Sequence, residues 1–148
     1  MKCEMVRDWM VPDPITIGPQ TTLPEAHRLM LRHSIRRLPV IQDGRLVGIV
    51  TLGDLRGAEP SDACSLSIWE LNYLLCQTEV EEIMTPRPYT VSADASVGEA
   101  AQLMLAHKIS ALPVLDEEGR LVGIITESDV FRMVVCDWLQ QAEPALGI

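Results

Sequence analysis

Residues 6–54 of this 148-residue chain return as residues 80–129, and this internal repeat constrains the fold more than any other feature. Met10-Val11-Pro12-Asp13-Pro14-Ile15-Thr16 matches Met84-Thr85-Pro86-Arg87-Pro88-Tyr89-Thr90. Ile35-Arg36-Arg37-Leu38-Pro39-Val40 matches Ile109-Ser110-Ala111-Leu112-Pro113-Val114, and Gly44-Arg45-Leu46-Val47-Gly48-Ile49 matches Gly119-Arg120-Leu121-Val122-Gly123-Ile124. The register needs one extra residue, within Asp116-Glu117-Glu118, and nearly half of the aligned positions are identical. Self-similarity of this kind means one supersecondary unit used twice. A unit of roughly 50 residues makes a poor core alone. The two copies are therefore expected to bury their apolar faces against each other about a pseudo-twofold axis, as one module.

Each copy reads in the same order. Ile15-Thr16-Ile17 and Tyr89-Thr90-Val91 are short strand candidates behind proline punctuation. Thr22…Glu25 and Ser96…Glu99 have capping-box spacing and open a helix. Ala26, Leu29, Met30 and Ala100, Leu103, Met104 follow at i, i+3, i+4, an apolar stripe. Residues 38–41 and 112–115 read as second strands. Pro39 and Pro113 lack an N–H, so they are expected at a strand start or edge. Asp43-Gly44 and Glu118-Gly119 are turns, residues 46–50 and 121–125 are third strands, and Thr51 and Thr126 open a last helix. The fold class is α+β, two β-α-β-β-α repeats at 6–58 and 80–136. A linker at 59–79 with a short amphipathic helix joins them, and a tail follows at 137–148.

The composition narrows the function classes. The net charge of −9 argues against a nucleic-acid binder, which needs a basic face for phosphates. No apolar run reaches the roughly 20 residues of a membrane span, and the start has no apolar signal-peptide core. Cys3, Cys64, Cys76 and Cys136 form no CxxC pair and read as free thiols of a reducing cytoplasm. His27, His33 and His107 have no HExxH spacing, so no metal is expected. No nucleophile–base pair or phosphate-binding glycine loop stands out, and no catalytic residue is assigned. His33 and His107 sit near the end of the first helix of each copy, where an imidazole meets free carbonyls.

Thr51-Leu52-Gly53-Asp54 and Thr126-Glu127-Ser128-Asp129 carry two readings. A helix start offers N–H groups to a phosphate, the Thr hydroxyl adds a donor, and the Asp carboxylate accepts from two neighbouring ribose hydroxyls. The same spacing is also a plain capping box, and spacing alone does not separate the two.

Taken in order, Met-x-Pro, Leu-Pro-Val and Gly-x-Leu-Val-Gly-Ile-[Val/Ile]-Thr-x-x-Asp resemble the cystathionine-β-synthase (CBS) domain, and the tandem pair resembles a Bateman module. The resemblance covers almost the whole chain. It implies a regulatory unit that binds an adenosine-containing ligand: AMP, ADP, ATP or S-adenosylmethionine. It assigns phosphate contact to Thr51 and Thr126 and ribose contact to Asp54 and Asp129. It also implies composite clefts, with Ile15, Arg36, Arg37 and Pro39 opposite Thr126, Ser128 and Asp129, and with Tyr89, Ser110, Ala111 and Pro113 opposite Thr51 and Asp54. Ile15, Ile35, Tyr89 and Ile109 are candidates to hold adenine, or ordinary core.

The copies differ in charge: residues 6–58 carry a net +2 and residues 80–133 a net −5. Arg36 and Arg37 stand where the second copy has Ser110 and Ala111, so the cleft they border is expected to bind phosphate better. The leading function is a non-enzymatic sensor that signals to an unidentified effector protein. The alternative is a structural dimerisation module without a physiological ligand. A homodimer is expected from Trp69 and Tyr73 in the linker, from Trp138, and from the habit of the family.

Overall fold

A computed structural model describes residues 4–58, 70 and 75–146, with residues 142–146 described by backbone alone. The chain forms two compact units, one of residues 15–88 and one of residues 1–14 with 89–148. Each holds the helices and strands of one repeat plus a short arm carrying a Met-x-Pro sequence.

In the 15–88 unit, α2 (Leu23–His33) starts at Thr22, whose N–H donates to Glu25 Oε2 at 3.1 Å. Pro24 falls in the first turn, where a missing N–H costs nothing. Leu23, Ala26 and Met30 bury one face of the helix. The chain then enters the hairpin of β2 (Arg37–Gln42) and β3 (Arg45–Thr51), turned by Asp43 and Gly44 at φ 51° and 77°. Positive φ at both positions is what a two-residue hairpin turn with the right twist requires. The helix α3 (Leu52–Gly57) follows directly. The core is Ile17, Leu23, Ala26, Met30, Leu38, Val40, Val50, Leu55 and Val80.

The second unit repeats this plan. Its helix α4 (Val97–His107) is capped by Ser96 Oγ, which accepts from the Glu99 N–H at 3.1 Å. Strands β6 (Ala111–Leu115) and β7 (Leu121–Thr126) pair antiparallel, and α5 (Glu127–Leu146) continues from β7. The extra residue is absorbed in the turn, where the Asp116 carboxylate accepts from the Glu118 N–H at 2.9 Å and the Arg120 N–H at 2.8 Å. The core is the counterpart set, including Val91, Val97, Ala100, Met104, Leu112, Val114 and Ile125.

The arms explain why Met-x-Pro and Leu-Val-Gly-Ile recur together. In the second unit, β1 (Val11–Pro12) pairs antiparallel with β7, and Pro12 lies opposite Gly123. In the first, β4 (Thr85–Pro86) pairs with β3, and Pro86 lies opposite Gly48. The methionine before each arm covers that glycine. A Cβ on Gly123 would lie 2.4 Å from Met10 Sδ, and one on Gly48 would lie 2.4 Å from Met84 Sδ. Val6, in α1 (Val6–Trp9), and Val80, in a 3-10 turn (Val80–Glu82), anchor these arms as fully buried side chains. Each compact unit thus draws its arm from the other sequence repeat.

The expected strands at 15–17 and 89–91 are shorter than read and shifted. Ile17 makes a single parallel bridge to Val40, and β5 is Val91–Ser92, parallel to β6. Pro39 and Pro113 give the reason. Ile17 accepts from the Ile41 N–H at 2.8 Å and donates to Pro39 O at 3.1 Å. The next rung, at Ile15, needs an N–H on residue 39, and proline has none. Tyr89 is cut off in the same way by Pro113. Both prolines are fully buried third residues of their strands. Pro39 lies in an edge strand as expected, whereas Pro113 lies mid-strand between β7 and β5, a correction that the missing rung to residue 89 accommodates.

Of the connector, Glu70 and residues 75–77 are helical; Trp69 and Tyr73 lie outside the described residues. Among the described residues, no helix is long and apolar enough to cross a membrane.

Candidate ligand-binding residues

The hairpin places the head of β2 beside the end of β3. Arg37 is opposite Thr51, and the Leu52 N–H donates to Arg36 O at 2.8 Å. The second unit has the same corner: Ala111 is opposite Thr126, and the Glu127 N–H donates to Ser110 O at 3.0 Å. So Ile15, Arg36, Arg37, Pro39, Thr51 and Asp54 share one unit, and Tyr89, Ser110, Ala111, Pro113, Thr126, Ser128 and Asp129 share the other. Arg36 and Ser128 are exposed, Arg37 and Ile15 are half-buried, and Ile15 and Ile35 pack on the core. Ile109 packs on the core of its own unit.

Both Thr-x-x-Asp segments form capping boxes, but they differ in what they leave over. The Thr51 N–H donates to Asp54 Oδ2 at 2.9 Å, and the Asp54 N–H donates to Thr51 Oγ1 at 3.1 Å. The Thr51 hydroxyl accepts here, so its own proton is left to donate, and Asp54 Oδ1 has no protein partner among the described residues. In the second unit the Thr126 N–H and the Thr126 hydroxyl both donate to Asp129 Oδ2, at 2.8 and 3.2 Å. Arg132 Nη2 donates to Asp129 Oδ1 at 2.5 Å. Asp129 is 4% exposed, the one buried charged residue among those described. The first corner is thus a cap that leaves the Thr51 hydroxyl proton and Asp54 Oδ1 without a partner among the described residues. In the second, the side chains are spent on each other.

Sequence reasoning missed Arg132. Its signal was present: i, i+3 spacing from Asp129 on a helix, and Gly57 at the matching position of the first copy.

Tyr89 is 53% exposed, and its ring stacks on His107 with centroids 3.7 Å apart and planes at 14°. At the helix ends where His33 and His107 were expected to meet free carbonyls, the backbone closes part of the end itself. Ser34 and Lys108 adopt the left-handed conformation, and the Ile35 and Ile109 N–H groups donate to Met30 O and Met104 O, each at 3.0 Å. This backbone closure engages the carbonyls of Met30 and Met104.

Cys76 and Cys136 are exposed free thiols; Cys3 and Cys64 lie outside the described residues. Among the described residues, no three His, Cys, Asp or Glu side chains are grouped as a metal site.

Known proteins share this fold. The CBS domain family matches residues 6–61 and 80–135. An inosine-5'-monophosphate dehydrogenase of Korarchaeum cryptofilum is 38% identical over 123 residues, which is 83% of this chain and 23% of that protein. The chain thus spans about a quarter of that relative's length. The crystal structure of CBSX2 in complex with AMP superposes with a TM-score of 0.73 at 32% identity, covering 89% of this chain and 96% of that one. The CBS domain pair of protein MJ0100, in complex with 5'-methylthioadenosine and S-adenosyl-L-methionine, gives a TM-score of 0.77 at 30% identity, covering 92% and 99%.

Proposed function

The chain belongs to the CBS domain family, and on that premise we propose that it is a non-enzymatic regulatory module. It binds an adenosine-containing ligand, of the class AMP, ADP, ATP or S-adenosylmethionine, and passes the binding on to an effector protein. The observation that carries this reading is the pair of Thr-x-x-Asp corners, each beside the head of a Leu-Pro-Val strand. They occur in a chain similar over nearly its whole length to CBS pairs crystallised with AMP or with methylthioadenosine and S-adenosylmethionine. In this reading Thr51 and Thr126 contact phosphate, and Asp54 and Asp129 contact ribose. Arg36 and Arg37 supply charge for phosphate. Ile15 and Tyr89, both left off the strand ladder, meet the adenine, and Pro39, Ser110, Ala111, Pro113 and Ser128 border the ligand. Binding regulates only to the extent that the ligand prefers one arrangement of the protein over another. A thermal-shift series with the four ligands, and with GTP as control, tests the reading. A rise in Tm with one or more adenosine ligands and none with GTP is expected; no rise with any of the four contradicts it.

The homodimer belongs to the same reading and rests on α5. Phe131, Val134, Val135, Trp138 and Leu139 stand at i, i+3, i+4, i+7 and i+8 and are all exposed, Phe131 at 67% and Trp138 at 69%. A continuous apolar stripe of this kind marks an interaction surface. Stable interfaces bury upwards of roughly 1,200 Å² in total. Light scattering is expected to give twice the chain mass, and Trp138→Glu to lower it; a monomer at high concentration contradicts the dimer.

A further inference from the structure

We propose that Arg132 is a positioning residue that makes the carboxylate of the second repeat a poorer reader of a ribose cis-diol than that of the first; this rests on the adenosine-binding reading above. A carboxylate has about four lone-pair sites, two on each oxygen. On Asp129, Oδ2 already accepts from the Thr126 N–H and hydroxyl, and Oδ1 accepts from Arg132 Nη2. One site remains. Asp54 accepts only from the Thr51 N–H among the described residues, through Oδ2. Its whole Oδ1 and one site on Oδ2 remain, enough for two neighbouring hydroxyls.

Arg132 is exposed and its partner is buried: the side chain of Arg132 is 59% exposed and that of Asp129 only 6%. The guanidinium is steadied from a second side, since Nη2 lies 3.4 Å from Trp9 O. The backbone of the arm and the carboxylate thus hold the cation between them. The position corresponds to Gly57, which has no side chain to play this part. Two sugar hydroxyls reach Asp129 only if one of its present donors is displaced, and on Oδ1 that donor is Arg132, whose charge-assisted bond is about twice as strong as a neutral one. The two repeats therefore differ in how strongly they reject a nucleotide that lacks a 2'-hydroxyl.

The test measures Kd for AMP and for 2'-deoxy-AMP by calorimetry and takes their ratio, which cancels any attraction Arg132 exerts on phosphate. Asp54→Asn and Asp129→Asn each leave one carboxylate in play. Asparagine keeps an acceptor for the cap and replaces the second oxygen with a donor. Asp129→Asn, reading with Asp54, is expected to disfavour 2'-deoxy-AMP by roughly tenfold or more, the scale of one hydrogen bond to a charged group. Asp54→Asn, reading with Asp129, is expected to discriminate at most about threefold. Adding Arg132→Ala to Asp54→Asn restores the larger ratio, while adding Arg132→Lys, which keeps a cation at Asp129, does not. Equal ratios in the two single variants, or no change on adding Arg132→Ala, overturn the role of Arg132 while leaving the adenosine reading intact. Absence of AMP binding to the parent protein removes both.

Discussion

The two units are built on one plan and finished differently at one corner. In the 15–88 unit, the Thr51 hydroxyl accepts from the Asp54 N–H, and among the described residues its proton and one Asp54 oxygen have no partner. In its counterpart, the Thr126 hydroxyl gives its proton to Asp129, and Arg132 takes the remaining oxygen. The cores do not differ in this way: Leu38 and Leu112, Val40 and Val114 are all fully buried. Duplication has preserved the packing that makes a unit stand and left the polar groups at the strand–helix corner to diverge. What distinguishes the halves is thus a matter of which hydrogen bonds are already made, since a donor or acceptor satisfied inside the protein is one a ligand must compete for.

The largest effects fall where the units agree. Leu38→Ala and Leu112→Ala each remove a fully buried side chain and are expected to cost about 2–5 kcal/mol, measured by denaturant unfolding. A cost below about 1 kcal/mol in one unit alone breaks the equivalence of the cores. Next come Gly48→Val and Gly123→Val. The new Cβ meets a methionine sulfur at 2.4 Å and a backbone oxygen at 3.0 Å in each case. Overpacking of this kind costs about 1–3 kcal/mol. Adding Met84→Ala or Met10→Ala should recover only part of the loss, because the carbonyls of Thr85 and Val11 remain; full recovery means the arm is not held as described.

Smaller effects separate the corners. Asp54→Ala is expected to cost about 1 kcal/mol, the usual worth of a cap. Asp129→Ala is expected to cost about 2 kcal/mol, because a buried carboxylate with three donors is lost. The reverse order contradicts the tighter network at Asp129. The smallest effect belongs to a group only the second unit has. The backbone N–H of Arg120 and, after it, that of Glu118 hold the Asp116 carboxyl below the usual carboxylate range, with the Arg120 guanidinium adding to this. A depressed pKa in the folded state stabilises above the unfolded value of about 3.9 and is lost as pH falls through the folded value. Asp116→Asn should therefore narrow its stability difference from the parent as pH drops below about 4; a constant difference across that range shows that the carboxylate charge contributes nothing.

The elements were legible in the sequence because the same cues occur twice. Capping boxes at Thr22 and Thr51, the Asp43-Gly44 turn and the apolar stripe ending in Met30 all appear where expected. The short strands were misplaced because their pairing is decided by the missing N–H groups of Pro39 and Pro113, which lie more than 20 residues further along the chain. The source of each Met-x-Pro arm was hidden for a related reason. Reading along the chain assigns Met10 to its own repeat, whereas its contact is with Gly123. At the candidate site, Thr51, Asp54, Thr126 and Asp129 were singled out by spacing and resemblance. Arg132 was not, because a single arginine on a helix face has many uses and only the carboxylate three residues before it gives this one a role.

A calorimetric titration of the parent protein with AMP, repeated on the Asp54→Ala/Asp129→Ala double variant, addresses the central claim most directly. The account predicts saturable binding to the parent and at least a tenfold loss in the double variant, the scale of one lost charge-assisted hydrogen bond. Binding unchanged in the double variant, or no heat from AMP, ADP, ATP or S-adenosylmethionine with the parent, would contradict it.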